Sequence, residues 1–214
     1  MNKNILLLSM IITILSVNSL FAGFQFHINP KLGIEAGIAN YGSLNSMTNN
    51  AFYYKEDLNF QMGYGFDINN EDSALKGIAL LFDFGSTPIN FITIPLEQVD
   101  KNPQFISTAT ANGIYTGLAI NFDFRNNFLL GLASGAKFGF RKDLKEAIIG
   151  GYGRITLGYK FFKTEKVAIS AMFDIAGEGF KYSDADYYKL FTVDGIEGYG
   201  NFSISFGMGF QFGK

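Results

Sequence analysis

Apolar residues alternate with small or polar residues in eight segments of the chain beyond residue 22. A period of two is typical of a β-strand that has one face against an apolar environment. The last segment shows the period clearly, since Phe202, Ile204 and Phe206 alternate with Ser203 and Ser205. The pattern predicts strands at about 24–38, 51–68, 76–86, 108–124, 128–141, 149–161, 167–182 and 197–212.

The connections between these strands alternate in length. Short polar links fall at 69–75, 125–127 and 163–166, and mostly longer ones at 39–50, 87–107, 142–148 and 183–196. An even number of strands joined in this way is the pattern of an up-and-down transmembrane barrel, with short periplasmic turns and longer external loops. We therefore predict an all-β fold, an eight-stranded antiparallel up-and-down transmembrane β-barrel over residues 23–214.

The composition of the polar face distinguishes a membrane barrel from a soluble, lipocalin-like barrel. In a soluble barrel the polar face meets water and the apolar face lines the lumen. Here the polar face is dominated by Gly, Ala, Ser and Asn, whereas the apolar face is rich in Phe, Ile and Leu. Small residues fit the narrow lumen of eight strands, which bulky residues would overfill. The apolar face is thus predicted to face lipid.

The N-terminus has the features of a signal peptide. Lys3 precedes an apolar run at residues 5–15, and a cleavage site follows at Ala22. The run is short for a spanning helix, and its flanks fit a cleaved peptide better than the alternative, an uncleaved anchor helix. We expect Sec-type export, removal of residues 1–22 and residence of the remaining chain in a bacterial outer membrane.

Composition narrows the classes of function. Only 17% of the residues are charged and the formal net charge is −2, so no basic surface for nucleic acid is expected. The sequence contains 25 Gly and 24 Phe. It contains no Cys, and this excludes disulfides, thiolate metal sites and a Cys nucleophile. No spacing of residues predicts a metal site or a cofactor.

The N-terminal segment, the eight alternating strands and the final strand that ends at Phe212 resemble small bacterial outer-membrane barrels of the OmpX and OmpA-transmembrane-domain kind. The resemblance covers nearly all of the mature chain and is one of architecture. It implies contact with outer-membrane lipid, and recognition of the C-terminal strand by the outer-membrane assembly machinery. Such proteins end in an aromatic residue, whereas Gly213 and Lys214 follow Phe212 here. The abundance of Asn, Lys, Ile and Phe suggests a spirochaete or a similar anaerobe as the source.

Charged residues recur on the face predicted to line the lumen. A charge buried there without a partner would be costly, and both signs occur in near balance. We therefore expect a plug of mutually neutralising ion pairs in preference to an ion path or an active site. The predicted network comprises Lys31, Glu35, Asp67, Asp83, Asp123, Lys137, Arg141, Arg154, Lys160, Asp174 and Glu178.

The chemistry of an enzyme finds little support in the sequence. Some outer-membrane barrels act on lipid A or on peptides, and lipid-A acyl transfer typically uses a His with a Ser near the outer leaflet. His27 is the only His, and the predicted topology places it near the periplasmic rim. No Ser-His-Asp arrangement can be built without it. We predict no catalytic residues.

Two of the external loops carry aromatic and apolar residues that are suited to recognition. The loop at 87–107 also has three prolines, and the loop at 183–196 mixes Tyr with Asp. The alternative is that these side chains pack on one another or extend the strands. The candidate recognition residues are Phe91, Ile94, Leu96, Asp184, Asp186, Tyr187, Tyr188 and Phe191.

The function predicted from the sequence is that of a non-enzymatic outer-membrane barrel, in envelope integrity or in surface interaction with an extracellular ligand. The alternative is a narrow, OmpW-like channel for small ions or small apolar molecules. An outer-membrane enzyme comes third.

Overall fold

A computed structural model describes residues 23–41, 51–68, 71–93, 107–140, 148–181 and 196–213. The predicted signal peptide lies outside these residues. No helix in the described ranges is long and apolar enough to cross a membrane. The strands are β1 (Phe24–Tyr41), β2 (Ala51–Asp67), β3 (Leu75–Ser86), β4 (Ile89–Thr93), β5 (Ser107–Phe124), β6 (Phe128–Phe140), β7 (Ile148–Lys163), β8 (Val167–Lys181) and β9 (Ile196–Gly213).

Eight of the strands close into an antiparallel barrel. Neighbours along the chain pair from β5 through β9, β1 pairs with both β2 and β9, and the β3–β5 pairing closes the ring. Closure satisfies the backbone N–H and C=O groups between neighbours, which is what a strand-built span of the hydrocarbon layer requires. The predicted eight-stranded up-and-down barrel is confirmed.

The short turns need little chain because the strands they join are adjacent. In the turn between β5 and β6, Asn127 adopts a positive φ of 69° and its N–H donates to the Phe124 carbonyl at 3.1 Å. Asn tolerates this left-handed conformation better than most residues. The turn between β7 and β8 is closed by Thr164, whose N–H donates to the Val167 carbonyl at 2.8 Å.

The ninth strand, β4, corrects the sequence prediction. Residues 87–107 were expected to form one loop, but Ile89–Thr93 pairs with Ser107–Ala111 at the outer end of β5. β4 therefore continues the pairing of β3 with β5 beyond a break at Thr87 and Pro88, but it does not pair with β2. Phe91, expected on a loop, lies within β4, where its backbone pairs with Ala109. Residues between two prolines in a long connection gave no alternating run long enough to predict this strand.

β4 leans inward over the lumen instead of standing in the wall. Ile89 is buried, and a Cβ built on Gly113 or Gly139 would lie 2.8 Å from its side chain. These two glycines therefore provide the space that Ile89 occupies. Asn90 is buried as well and reaches Glu35 of β1, which lies beyond β2 in the order of the wall.

The two faces of the wall differ as the alternation predicts. Leu118 and Phe206 project outward with 70% and 64% of their surface exposed, although both are large and apolar. The inward residues on the same strands are small or polar and buried, as Ala119 and Ser205 show. A continuous apolar exterior around a polar interior matches a barrel whose outer surface contacts lipid. Water would disfavour that exterior, since soluble proteins rarely expose apolar patches beyond a few hundred Å².

This assignment of faces predicts that cations are tolerated differently on different surfaces. Leu118→Arg should impair insertion, because a cation near the bilayer midplane of a barrel costs roughly 2–4 kcal/mol. Gly209→Arg should impair folding through crowding, because even a Cβ added there would lie 2.4 Å from the Met172 sulfur. Folding yields in lipid vesicles, read from heat-modifiable gel mobility, measure both effects.

Glu165→Arg is the control, because Glu165 is exposed in the turn between β7 and β8. Its folding yield should equal that of the wild type. Equal yields for Leu118→Arg and Glu165→Arg would contradict the assignment of the outer face.

Candidate functional site

Arg154 is at the centre of the lumen and contacts three carboxylates. β7 directs its side chain inward, where Nη2 lies 2.6 Å from Asp83 Oδ1, Nη1 lies 3.7 Å from Asp57 and Nε lies 3.6 Å from Asp174. Lys31 also pairs with Asp174. These five residues, which we call the Arg154 cluster, come from five strands and are all buried.

Neutral donors complete the Arg154 cluster. Asp83 accepts hydrogen bonds from Asn59 and Gln61, each at 2.8 Å, and from the Tyr152 hydroxyl at 2.5 Å. The Tyr115 hydroxyl donates to Asp57 at 2.8 Å. The two tyrosine rings meet edge to face at 5.1 Å, and the Arg154 guanidinium lies 5.7 Å from the Tyr115 ring centre. Hydrogen bonds of this kind reduce the free-energy cost of burying a charge.

A second cluster lies toward the outer end. Glu178 bridges Lys55 and Lys137, and Lys55 also pairs with Glu35 at 2.9 Å. Two carboxylates therefore face two ammonium groups, and none of the four side chains is more than 5% exposed. We call these four residues the Glu178 cluster.

Two asparagines cover the Glu178 cluster from the outer side. Glu35 accepts hydrogen bonds from Asn201 at 2.8 Å and from Asn90 of β4 at 3.3 Å. Asn201 also donates to the Asn90 carbonyl at 3.2 Å, and the Thr110 hydroxyl donates to Asn90 Oδ1 at 2.9 Å. The inward lean of β4 thus has a polar cause, since it supplies hydrogen-bond donors to a fully buried carboxylate.

The periplasmic end of the lumen holds a smaller ion pair. Lys160 lies 2.8 Å from Asp123, which is also 3.8 Å from the partly exposed Lys163. His27 is buried nearby, and its Nε2 is 3.2 Å from Gln25 Oε1. The His lies at the end where the sequence placed it.

The structure brings nine of the ten predicted lumen residues that it describes into ion pairs, and Asp67 is the exception. Asp67 is the last residue of β2, is exposed, and forms no ion pair with the described residues. It lies beyond the buried part of the lumen, where water can solvate it. Arg141 lies outside the described residues.

Lys55 and Asp57 belong to the network but were not predicted. They have the same parity along β2 as Asn59, so the alternation could have found them. The alternation is broken at this end of β2, because the aromatic Tyr53 is on the inward side and the charged Glu56 is on the outward side.

Most of the predicted recognition residues lie outside the part of the chain that the structure describes. These are Ile94, Leu96, Asp184, Asp186, Tyr187, Tyr188 and Phe191. Their role stays a prediction.

Small cavities interrupt the packing in the part of the lumen that the described residues line. One cavity of about 20 Å³ lies between the Arg154 and Glu178 clusters, and another of about 30 Å³ lies beside His27 and Lys160. A water molecule needs roughly 10–15 Å³ by the same measure, so each cavity has room for one to three waters. Six carboxylates and six cations take part in the ion pairs named above, so these paired groups balance.

A closed barrel with an apolar belt and a polar, filled lumen defines the protein as an outer-membrane β-barrel. No protein-family model and no curated protein matches the sequence. Similar solved structures include the outer-membrane protein AlkL, at 12% identity and a TM-score of 0.45 over 90% of this chain and 92% of that one. Ail, the attachment invasion locus protein of Yersinia pestis, has 13% identity and a TM-score of 0.37 over 90% and 100%.

The outer-membrane protease OmpT from Escherichia coli is also similar, at 8% identity and a TM-score of 0.38 over 89% of this chain and 96% of that one. At such identities the likeness concerns the fold alone. The suggested spirochaetal source stays a prediction.

Removal of Arg154 should destabilise the barrel strongly. Arg154→Ala leaves Asp83, Asp57 and Asp174 without their shared cation, and breaking a buried ion pair in this way costs roughly 3–5 kcal/mol. Urea-induced unfolding in lipid vesicles measures the change in the free energy of unfolding.

Lys160→Ala is the matched control, because its partner Asp123 is partly exposed and also near Lys163. Water and the second lysine can compensate, so the loss should be clearly smaller. An equal loss in both variants would contradict the central place of Arg154.

Proposed function

We propose that the protein is a non-enzymatic outer-membrane barrel that acts in envelope integrity or in surface interaction through its external loops. The observation that carries this proposal is the filled lumen. The Arg154 and Glu178 clusters occupy it with buried, paired charges, and β4 covers its outer end. The wall offers lipid an apolar surface, which leaves the two ends of the barrel for specific contacts.

The external end is the better candidate for recognition. Loops held on a rigid scaffold are the usual place for binding residues. The connections from β1 to β2, β4 to β5, β6 to β7 and β8 to β9 all emerge at this end, and the other end has only short turns. The loop at 183–196 is the richest in Tyr and Asp, a combination suited to cationic or sugar partners.

The absence of catalytic function is part of the proposal. His27, the only His of the chain, is buried near the periplasmic end with Gln25 as its hydrogen-bond partner. The lumen carboxylates are engaged by Arg154, lysines and tyrosines, so none of those in the two clusters is positioned as an unpaired general base. A protease of the same fold class shows that the architecture does not decide this question.

A narrow channel is the alternative function. The cavities next to Lys137 and Lys160 hold at most a few waters, and an ion on this route would have to separate Arg154 from Asp83. Separating such a pair costs free energy, because both charges are buried. The ionic plug therefore favours the structural or surface role.

Three partners follow from the proposal. Outer-membrane lipid would surround the belt that contains Leu118 and Phe206. The assembly machinery would recognise β9, whose outward side carries Phe202, Phe206, Phe210 and Phe212. An extracellular ligand would bind the loops.

The surface role is tested by replacing residues 184–194 with a Gly/Ser segment of equal length. β8 ends at Lys181 and β9 begins at Ile196, so the replacement leaves both strands intact. The barrel should fold and stay heat-modifiable but lose binding to host matrix or cells, measured with barrels in vesicles.

Glu71→Ser with Asp72→Ser, in the periplasmic turn between β2 and β3, provides the control and should bind as the wild type does. Undiminished binding by the Gly/Ser barrel would refute the role of this loop. Absence of binding by the wild type would refute the surface role and leave envelope integrity.

A further inference from the structure

A groove of about 660 Å³ crosses the outer, lipid-facing wall where β9, β1, β2 and β3 lie side by side. Its lining is mainly apolar. Its apolar lining residues include Pro30, Leu32, Leu58, Phe206, Met208 and Phe210.

Interrupted strand pairing explains the groove. The β1–β9 ladder skips from the Ile28–Phe210 pair to the Lys31–Gly207 pair, and Pro30 within this gap has no N–H to donate. The β2–β3 ladder ends at the pair of Leu58 with Ser86, and Pro88 follows two residues later. The wall is therefore depressed where compact prolines replace longer side chains.

Glu56 lies at the upper end of the groove and projects outward. It pairs in register with Leu32, which pairs in turn with Phe206, so the three side chains form one row across the wall. Glu56 is exposed and forms no ion pair or hydrogen bond with any described residue. The other two side chains of this row, Leu32 and Phe206, are apolar, so among the described residues the carboxylate is an isolated charge at the edge of an apolar surface.

The height of Glu56 corresponds to the level of lipid head groups. Glu56 lies eleven residues before Asp67, the periplasmic end of β2. At about 3.3 Å per residue and a tilt of ~40°, this separation is roughly 25–28 Å along the barrel axis, close to the height of the apolar belt. From Glu56 the groove descends along the row toward Phe206 and then Met208 and Phe210, into the hydrocarbon layer.

We propose that this groove is a binding site for a lipid with an ammonium head group, which pairs with Glu56 while one acyl chain lies in the groove. The apolar lining suits an acyl chain, and the hydroxyl of Ser86 at the same end offers a second polar contact. A carboxylate repels the phosphate of an anionic lipid, whereas an ammonium group supplies three donors and the opposite charge. The site therefore selects a lipid by the charge of its head group at Glu56, and the groove accommodates the acyl chain by its shape.

The test uses the full-length barrel reconstituted with equal amounts of phosphatidylethanolamine and phosphatidylglycerol that carry identical acyl chains. Native mass spectrometry after detergent washing measures which lipid is retained. The wild type should retain phosphatidylethanolamine about threefold over phosphatidylglycerol, the ratio expected of a partly exposed ion pair.

Glu56→Gln removes the charge at constant size and should abolish this preference. Glu165→Gln removes an exposed carboxylate at the opposite end and should keep it. Ser86→Phe fills the upper groove without placing a polar group in lipid, so it should lower retention of both lipids while the barrel still folds. Equal retention of the two lipids by the wild type, or an unchanged preference in Glu56→Gln, would overturn the proposal.

Discussion

The pairing of Arg154 with three carboxylates is the interaction on which the interior of the barrel depends. A span built from strands must close to satisfy its backbone, and closure with eight strands leaves a lumen that side chains nearly fill. Any charge placed there is removed from bulk water and needs a partner. Asp57, Asp83 and Asp174 come from three different strands, and one guanidinium serves them all. The same side chain therefore fills the lumen and joins opposite parts of the wall.

The cap at the outer end follows from the same constraint. Glu35 is fully buried, and Lys55 alone does not satisfy its two oxygens. Asn201 and Asn90 add donors, and Asn90 can do so only because β4 leaves the course of the wall. The departure of β4 ends the pairing of β2 with its neighbour at Leu58, next to the groove that Glu56 borders. The hydrogen bonds that buried Glu35 needs inside the barrel thus affect the groove on the outer wall.

The sequence predicted the wall well because alternation is a local property. Leu118 and Phe206 face outward and Asp83 and Arg154 face inward as the period of two requires. It could not predict which charges meet, because pairs such as Lys137 with Glu178 depend on the stagger of strands around the lumen. β4 could not be predicted because its contacts are non-local. Ile89 occupies the space left by Gly113 and Gly139, and Asn90 donates a hydrogen bond to Glu35. Lys55 and Asp57 escaped prediction because the outer part of β2 mixes its apolar and polar faces.

Conductance across a planar lipid bilayer tests most directly whether the ionic network closes the lumen. The wild-type barrel should show at most small, irregular events, since the two cavities that the described residues enclose beside the ion pairs have room for only a few waters each. Replacing Glu178 by Ala should raise the frequency of openings, because Lys55 and Lys137 lose the carboxylate that bridges them. Stable openings of porin size in the wild type would contradict a closed lumen.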